Sequence, residues 1–278
     1  MNKLEFIACD VVYSKSKIAL FGAPMDQTVS FRSGSRFAPN EIRLDSDAIE
    51  TYSPYQDKDL EDAFVADLGD VDIYFGDVLK SLDSIYNQSK QILLDDKVPF
   101  LIGGEHLVTL PQVEAVYEKY PDLRVIHFDA HTDLRDDYLG EKMSHATVIK
   151  RLSELLGDNK IYQFGIRSGL KEEFDYAEKH QYIEKYTVNT VSKIVKDLKE
   201  YPIYVTVDLD VLDPSIMHGT GTPEAGGITF KELHNAILEL TGLNIVGCDV
   251  VELAPNLDSS KVSTLVAAKL IREMLLII

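Results

Sequence analysis

Val125-Ile126-His127-Phe128-Asp129-Ala130-His131-Thr132-Asp133 is the stretch on which the fold and the chemistry turn. Its first half is a short, nearly continuous apolar run with β-branched residues, as expected of a parallel strand covered on both faces. Its second half is D-x-H-x-D, and the two-residue repeat of an extended chain puts Asp129, His131 and Asp133 on one side. Three metal-competent side chains would then meet at the carboxyl end of a strand, where open α/β sheets hold their ligands. A single Asp or His at such a place is commonly a turn residue or a cap. Three alternating ones would each need a separate partner, so a shared cation is the simpler reading. His127, on the same side but deeper in the strand, reads as a hydrogen-bonded support rather than a ligand.

Working outward, apolar runs of strand length recur at 17–22, 99–103, 161–166, 203–209 and 245–251, with the quoted run covering 124–130. Helical patterns fall between them at 78–96, 109–119, 147–156, 229–240 and 259–276, the fourth opened by Thr229 as a capping residue. Strand then helix, repeated, predicts an α/β fold whose central sheet is mostly parallel. No Pro/Gly/Ser-rich linker or internal repeat divides the 278 residues, so 1–278 is read as one domain. The Gly-, Ser-, Arg- and Pro-rich segment 24–53 is expected to form a surface excursion with a functional or interfacial loop.

The second ligand run is Tyr204-Val205-Thr206-Val207-Asp208-Leu209-Asp210-Val211-Leu212-Asp213-Pro214. Asp208 and Asp210 share a side of the expected strand, and two like charges there would repel unless a cation lay between them. Asp213, before a proline, reads as a turn residue. The third is Leu101-Ile102-Gly103-Gly104-Glu105-His106, in which a glycine turn permits close backbone approach and presents His106. With His127 and Asp213 set aside, the three segments offer two histidines and five carboxylates without a cysteine, a donor set suited to two hard or borderline ions such as Mn²⁺.

Bulk properties narrow the partners. With 46 acidic against 28 basic residues the net charge is −18, which repels nucleic acid and anionic membranes and favours small cations. Only two cysteines occur, Cys9 and Cys248, in no zinc-type spacing. No apolar h-region or membrane-length run is present, which places the protein in the cytoplasm as an expectation.

The ordered motifs G-G-E-H, D-A-H-T-D, S-H-A-T, D-L-D-V-L-D-P, G-T-G-T-P-E and D-V-V-E-L-A-P resemble those of the ureohydrolase family, which includes arginases and agmatinases. Residues 25–37 and 164–169 are similar to the bacterial agmatinase branch in particular. The resemblance implies a three-layer arginase-like sandwich, two Mn²⁺ per chain, and hydrolysis of a guanidino group to urea and an amine. It implies that His106, Asp129, Asp133 and Asp208 hold one ion and Asp129, His131, Asp208 and Asp210 the other, with Asp129 and Asp208 bridging. It further implies that His145 is a proton shuttle, that Glu252 pairs with the guanidinium, and that Thr222 lies beside the substrate. Asp133 could relay the proton of the attacking water. Asp249, three residues before Glu252, is expected to be structural.

The chemistry agrees with that donor set. A guanidinium is protonated and its carbon is a poor electrophile, so attack needs water whose pKa a metal has lowered toward ~7, and an alkylamine leaves only once protonated. The loop 134–143 lacks an asparagine and carries Asp136, Asp137 and Glu141, which suits an amine tail better than a carboxylate tail. Arg135 and Lys142 in the same loop keep 4-guanidinobutyrate open, and agmatine, giving putrescine and urea, is the expected substrate, with 4-guanidinobutyrate, arginine and formiminoglutamate as alternatives. A single-zinc deacetylase-like enzyme or a silent polyamine-sensing protein are the readings from other classes, and the complete ligand set with His145 and Glu252 weighs against both. His218 before G-T-G-T-P-E, where the family usually has proline, and Ala146 after His145 depart from the family pattern. The resemblance implies a homotrimer or homohexamer; the apolar end, 274–278, is expected to be buried either there or on the core.

Overall fold

Strands and helices alternate along the chain in the computed structural model, which describes residues 4–278. In order they are β1 (Ile18–Ala23), α1 (Ala38–Ser46), β2 (Tyr52–Ser53), β3 (Lys58–Asp59), β4 (Val65–Asp70), α2 (Val78–Leu94), β5 (Val98–Gly103), α3 (Thr109–Lys119), β6 (Arg124–Phe128), α4 (Val148–Leu156), β7 (Ile161–Ile166), α5 (Lys171–His180), β8 (Tyr182–Lys185), α6 (Val191–Leu198), β9 (Pro202–Asp208), α7 (Phe230–Glu239), β10 (Asn244–Val251) and α8 (Val262–Leu275). Eight strands form one sheet in the order β4-β1-β5-β10-β9-β6-β7-β8, and the strand pairs within it are parallel. β2 and β3 make a separate antiparallel pair.

The side-chain period of two sends alternate strand residues into two apolar cores, one on each face of the sheet. Leu20, Phe100, Val205 and Val250 pack with Ile42 of α1, Val195 of α6, Ile237 of α7 and Ile271 of α8. Phe21, Leu101, Val125 and Tyr204 pack on the other face with Ile85 of α2, Val113 of α3, Leu152 of α4 and Ala177 of α5. This is the expected three-layer α/β sandwich. The C-terminal Met274, Leu275, Leu276 and Ile277 are buried in the first of these cores, so the apolar end caps the core within the chain. Thr229 caps α7 with Glu232: Glu232 N donates to Thr229 Oγ1 at 3.2 Å and Thr229 N to Glu232 Oε2 at 2.7 Å.

Three features differ from the sequence reading. β4 and β8, the two edge strands, carry too many polar and charged residues to register as apolar runs. Segment 24–53 is only partly a surface excursion: it contains α1, and Arg43 on that helix is buried against Asp67 (2.8 Å) and Asp70 (2.5 Å). β6 and β9 end at Phe128 and Asp208, earlier than expected, so the ligand motifs are not extended strand.

Candidate metal centre and substrate cavity

Because the sheet is parallel, the carboxyl ends of its strands share one edge, and the residues singled out in the sequence sit there. β5, β10, β9 and β6 are successive neighbours at the centre of the sheet. Each delivers side chains just past its end: His106 after β5, Glu252 after β10, Asp208 and Asp210 at β9, and Asp129, His131 and Asp133 after β6. β5 and β6 are consecutive in sequence yet separated by two strands, the kind of crossover at which α/β sheets open a crevice.

The convergence is achieved by turns rather than by pleating, which corrects the extended-chain argument. Asp133 has φ +50° and Glu252 φ +63°, so both sit in left-handed turns that swing them toward the crevice. Asp210 lies in a 3₁₀ turn, Leu209–Val211, and its N–H donates to Asp208 Oδ1 at 2.9 Å. His131 N donates to Asp129 Oδ1 at 2.6 Å. The glycine turn does permit the expected close approach: a Cβ on Gly104 would lie 1.9 Å from Met25 O.

His106 Nδ1 lies 3.1 Å from Asp129 Oδ2, 3.1 Å from Asp133 Oδ2 and 3.4 Å from Asp208 Oδ2, yet it makes a hydrogen bond with none of them. The opposite ring nitrogen explains why. Thr206 Oγ1 donates to Asp249 Oδ1 at 2.6 Å and so accepts from His106 Nε2, 3.1 Å away. The proton is thereby placed on Nε2, and the Nδ1 lone pair faces three carboxylates. A buried imidazole nitrogen among three carboxylates draws positive charge to the spot, either a proton, which Asp129, Asp133 and Asp208 favour against the burial, or a metal ion. Asp249, expected to be structural, thus acts through Thr206 to orient His106.

A second group of donors adjoins the first. His131 Nδ1 is 2.9 Å from Asp210 Oδ2 and 3.5 Å from Asp129 Oδ1, and Asp129, His131 and Asp210 together have ligand atoms within 4.8 Å of one another. His106, His127 and Asp129 meet the same criterion. His127, however, is occupied: Gln163 Nε2 donates to its Nδ1 at 3.1 Å, leaving Nε2–H to bind Asp129 Oδ2 at 2.8 Å. It steadies Asp129, as its depth in the strand suggested. Two of the carboxylates register the concentrated negative charge: burial and the nearby Asp129 push Asp133 up to about 7, and burial with Asp210 and Asp129 pushes Asp208 well above the usual range, whereas against its burial His127, His106 and His131 hold Asp129 well below it. The His and Asp residues therefore fit divalent ions in donor type, burial and charge.

A cavity of about 260 Å³ opens onto this cluster, lined by His106, His131, Asp133 and Asp208 together with His145, Thr222 and Glu252. Glu252 Oε1 accepts His106 N–H at 2.8 Å, and burial with the neighbouring Glu105 charge pushes its carboxyl up to about 8. A cation seated in the cavity would reverse that penalty. His145 opens a 3₁₀ turn behind the Ser144 cap, and burial lowers its pKa to about 4, so its imidazole is neutral at neutral pH. Thr222 Oγ1 reaches Asp210 Oδ2 at 3.4 Å.

Other residues fall where the sequence reading did not put them. Glu105, the fifth carboxylate of the ligand segments, turns away and accepts hydrogen bonds from Gln27 N and Thr28 N at 2.8 and 3.0 Å. Asp136 and Asp137 line an adjoining cavity of about 260 Å³, and Glu141 lines another; none of the three lines the metal-facing cavity. Arg135, of the loop read as facing the substrate tail, lines the metal-facing cavity, and so do Tyr138, Ser168 and Glu173, the last two revealed there only by proximity in the fold. Asp213 is the expected turn residue, accepting from Ser215, Gly226 and Gly227, which lowers its pKa to about 2. His218 is exposed.

A parallel three-layer sheet with a His/Asp cluster at its central strand ends is the architecture of the arginase family, and the family model matches residues 16–277; the chain belongs to that family. Within it, the chain is 48% identical over 275 residues to the agmatinase of Bacillus subtilis (strain 168), a match covering 98% of this chain and 95% of that relative. A solved structure of a candidate agmatinase from Clostridium difficile superposes with TM-score 0.94 at 51% identity, covering 96% of this chain and 98% of that one. The guanidinobutyrase of Pseudomonas aeruginosa is 34% identical over 291 residues, covering 100% of this chain and 91% of that relative.

Proposed function

We propose that this chain is a binuclear metal hydrolase that converts agmatine to putrescine and urea. The observation that carries the reading is His106 Nδ1, buried with its lone pair toward Asp129, Asp133 and Asp208 beside a cavity that ends on Glu252. Greater identity to an agmatinase than to a guanidinobutyrase supports the amine-tailed substrate. His106, Asp129, Asp133 and Asp208 would hold one ion and Asp129, His131, Asp208 and Asp210 the other, with Mn²⁺ as the metal. Bound there, the ions would lower the pKa of water toward ~7 and supply a nucleophile at neutral pH.

The chain's own residues do the rest. Glu252 receives the planar guanidinium through its carboxylate and fixes the carbon relative to the cluster. Tyr138, Ser168 and Leu170 line the cavity in which the substrate sits. His145, kept neutral by its partial burial, accepts a proton as water attacks and returns it to the departing amine nitrogen, without which the alkylamine is a poor leaving group. Asp133 relays the proton between the attacking water and His145. Residues 1–278 act as one catalytic domain, in the cytoplasm and as a homotrimer or homohexamer. Among the described residues no helix is long and apolar enough to cross a membrane, which is compatible with that location.

Urea release from agmatine, 4-guanidinobutyrate, arginine and formiminoglutamate by the Mn²⁺-loaded protein tests the proposal. Agmatine should give the highest kcat/KM. A higher value for any of the other three would reassign the substrate.

A further inference from the structure

His145 is held by a loop that lies 117 residues earlier in the sequence. Its backbone N–H donates to Thr28 Oγ1 at 3.0 Å, and its ring Nε2 lies 3.1 Å from Ser30 Oγ. The N–H groups at the start of a helical turn have no partner within the turn, so that of His145 depends on an outside acceptor. Thr28 can serve because its own hydroxyl proton is committed elsewhere: it donates to Glu105 Oε2. Glu105 is fully buried and also accepts the N–H groups of Gln27 and Thr28. The backbone completes the attachment, Glu105 N donating to Met25 O at 2.8 Å. The loop after β1 is thus fastened to the end of β5, and its hydroxyls reach His145 from there.

We infer that Glu105 and Thr28 form a clamp that positions His145 over the cavity, which makes Thr28 a positioning residue for proton transfer. The inference rests on His145 being the proton shuttle of the proposed reaction. The clamp also sets the Ser30 hydroxyl against Nε2, while Ser144 Oγ lies 3.3 Å from Nδ1 on the other side of the ring. Glu252 reaches the cavity from β10 and makes its own bond to His106 N, so removing the Thr28 hydroxyl leaves the contacts of the guanidinium seat in place.

The test compares Thr28→Val, which removes the hydroxyl, with Thr28→Ser, which keeps it, in the metal-loaded protein. With agmatine, Thr28→Val should lower kcat at least ~10-fold with KM within about 2-fold, because misplacing a proton-transfer group costs rate rather than binding. Thr28→Ser should stay within about 2-fold of the parent on both constants. A Thr28→Val, His145→Ala double variant should be no slower than His145→Ala alone, since both changes disable one group. Hydrogen exchange gives a readout independent of turnover: the His145 amide should exchange at least ~10-fold faster in Thr28→Val, with the amides of α4 unchanged as evidence that the fold survives. An unchanged His145 amide, or a loss in kcat that adds to that of His145→Ala, would overturn the clamp. Normal turnover in His145→Ala would instead refute the shuttle reading, leaving the exchange result to judge the clamp.

Discussion

Replacing Glu252 with glutamine separates binding of the guanidinium from assembly of the metal site. The parent Glu252 Oε1 accepts His106 N–H at 2.8 Å, and an amide oxygen can accept the same bond, so the turn that presents His106 should survive. The left-handed backbone of residue 252, φ +63°, is no worse for glutamine than for glutamate. What is lost is a full negative charge facing a cation, and the new amide N–H groups oppose those of the substrate. A charge-assisted contact is worth about 1.5–3 kcal/mol, so in a buried cavity a loss of about 3 kcal/mol, or ~10²-fold in kcat/KM, is expected. Because the contact also aims the guanidinium carbon, kcat should fall as well as affinity. Urea release, metal content and Tm measured on one preparation decide the matter. Unaltered turnover would remove Glu252 from the substrate site, and loss of metal would show that it supports a ligand instead.

Three further outcomes follow from the geometry. Asp208→Ala should lose occupancy of both ions, whereas His106→Ala should chiefly weaken one; equal metal content in the two variants, measured by elemental analysis, would argue against a bridging Asp208. Thr206→Val should weaken metal binding by ~10- to 100-fold, because Thr206 directs the His106 lone pair into the cluster, and a metal titration showing parent-like affinity would refute that role. Arg43→Leu should destabilise the fold by about 3 kcal/mol or more in urea denaturation, since it takes the guanidinium away from the buried Asp67 carboxylate; a change under ~1 kcal/mol would contradict this.

Much of the site was legible because its residues cluster in short motifs directly after apolar strands. His106, Asp129, His131, Asp133, Asp208, Asp210, His145, Thr222 and Glu252 do gather at one sheet edge. The way they gather was not legible. Period two is a property of extended chain, and β6 and β9 stop before their motifs end, so turns at Asp133 and Asp210 do what pleating was expected to do. The long-range contacts were equally hidden. Nothing in G-G-E-H says that Glu105 turns toward Thr28, or in segment 24–53 that Arg43 is buried against β4, because both partnerships join distant segments through single side chains. The edge strands escaped notice for the opposite reason: half-exposed strands need not be apolar, so β4 and β8 lack the signal that marked the central ones.

Agmatine turnover measured as a function of bound Mn²⁺ tests the binuclear hydrolase most directly. Starting from protein stripped by a chelator, urea and putrescine should appear in equal amounts, and the rate should rise until about two equivalents of Mn²⁺ are bound. Saturation at one equivalent, or a fully loaded protein that releases no urea from agmatine, would contradict it.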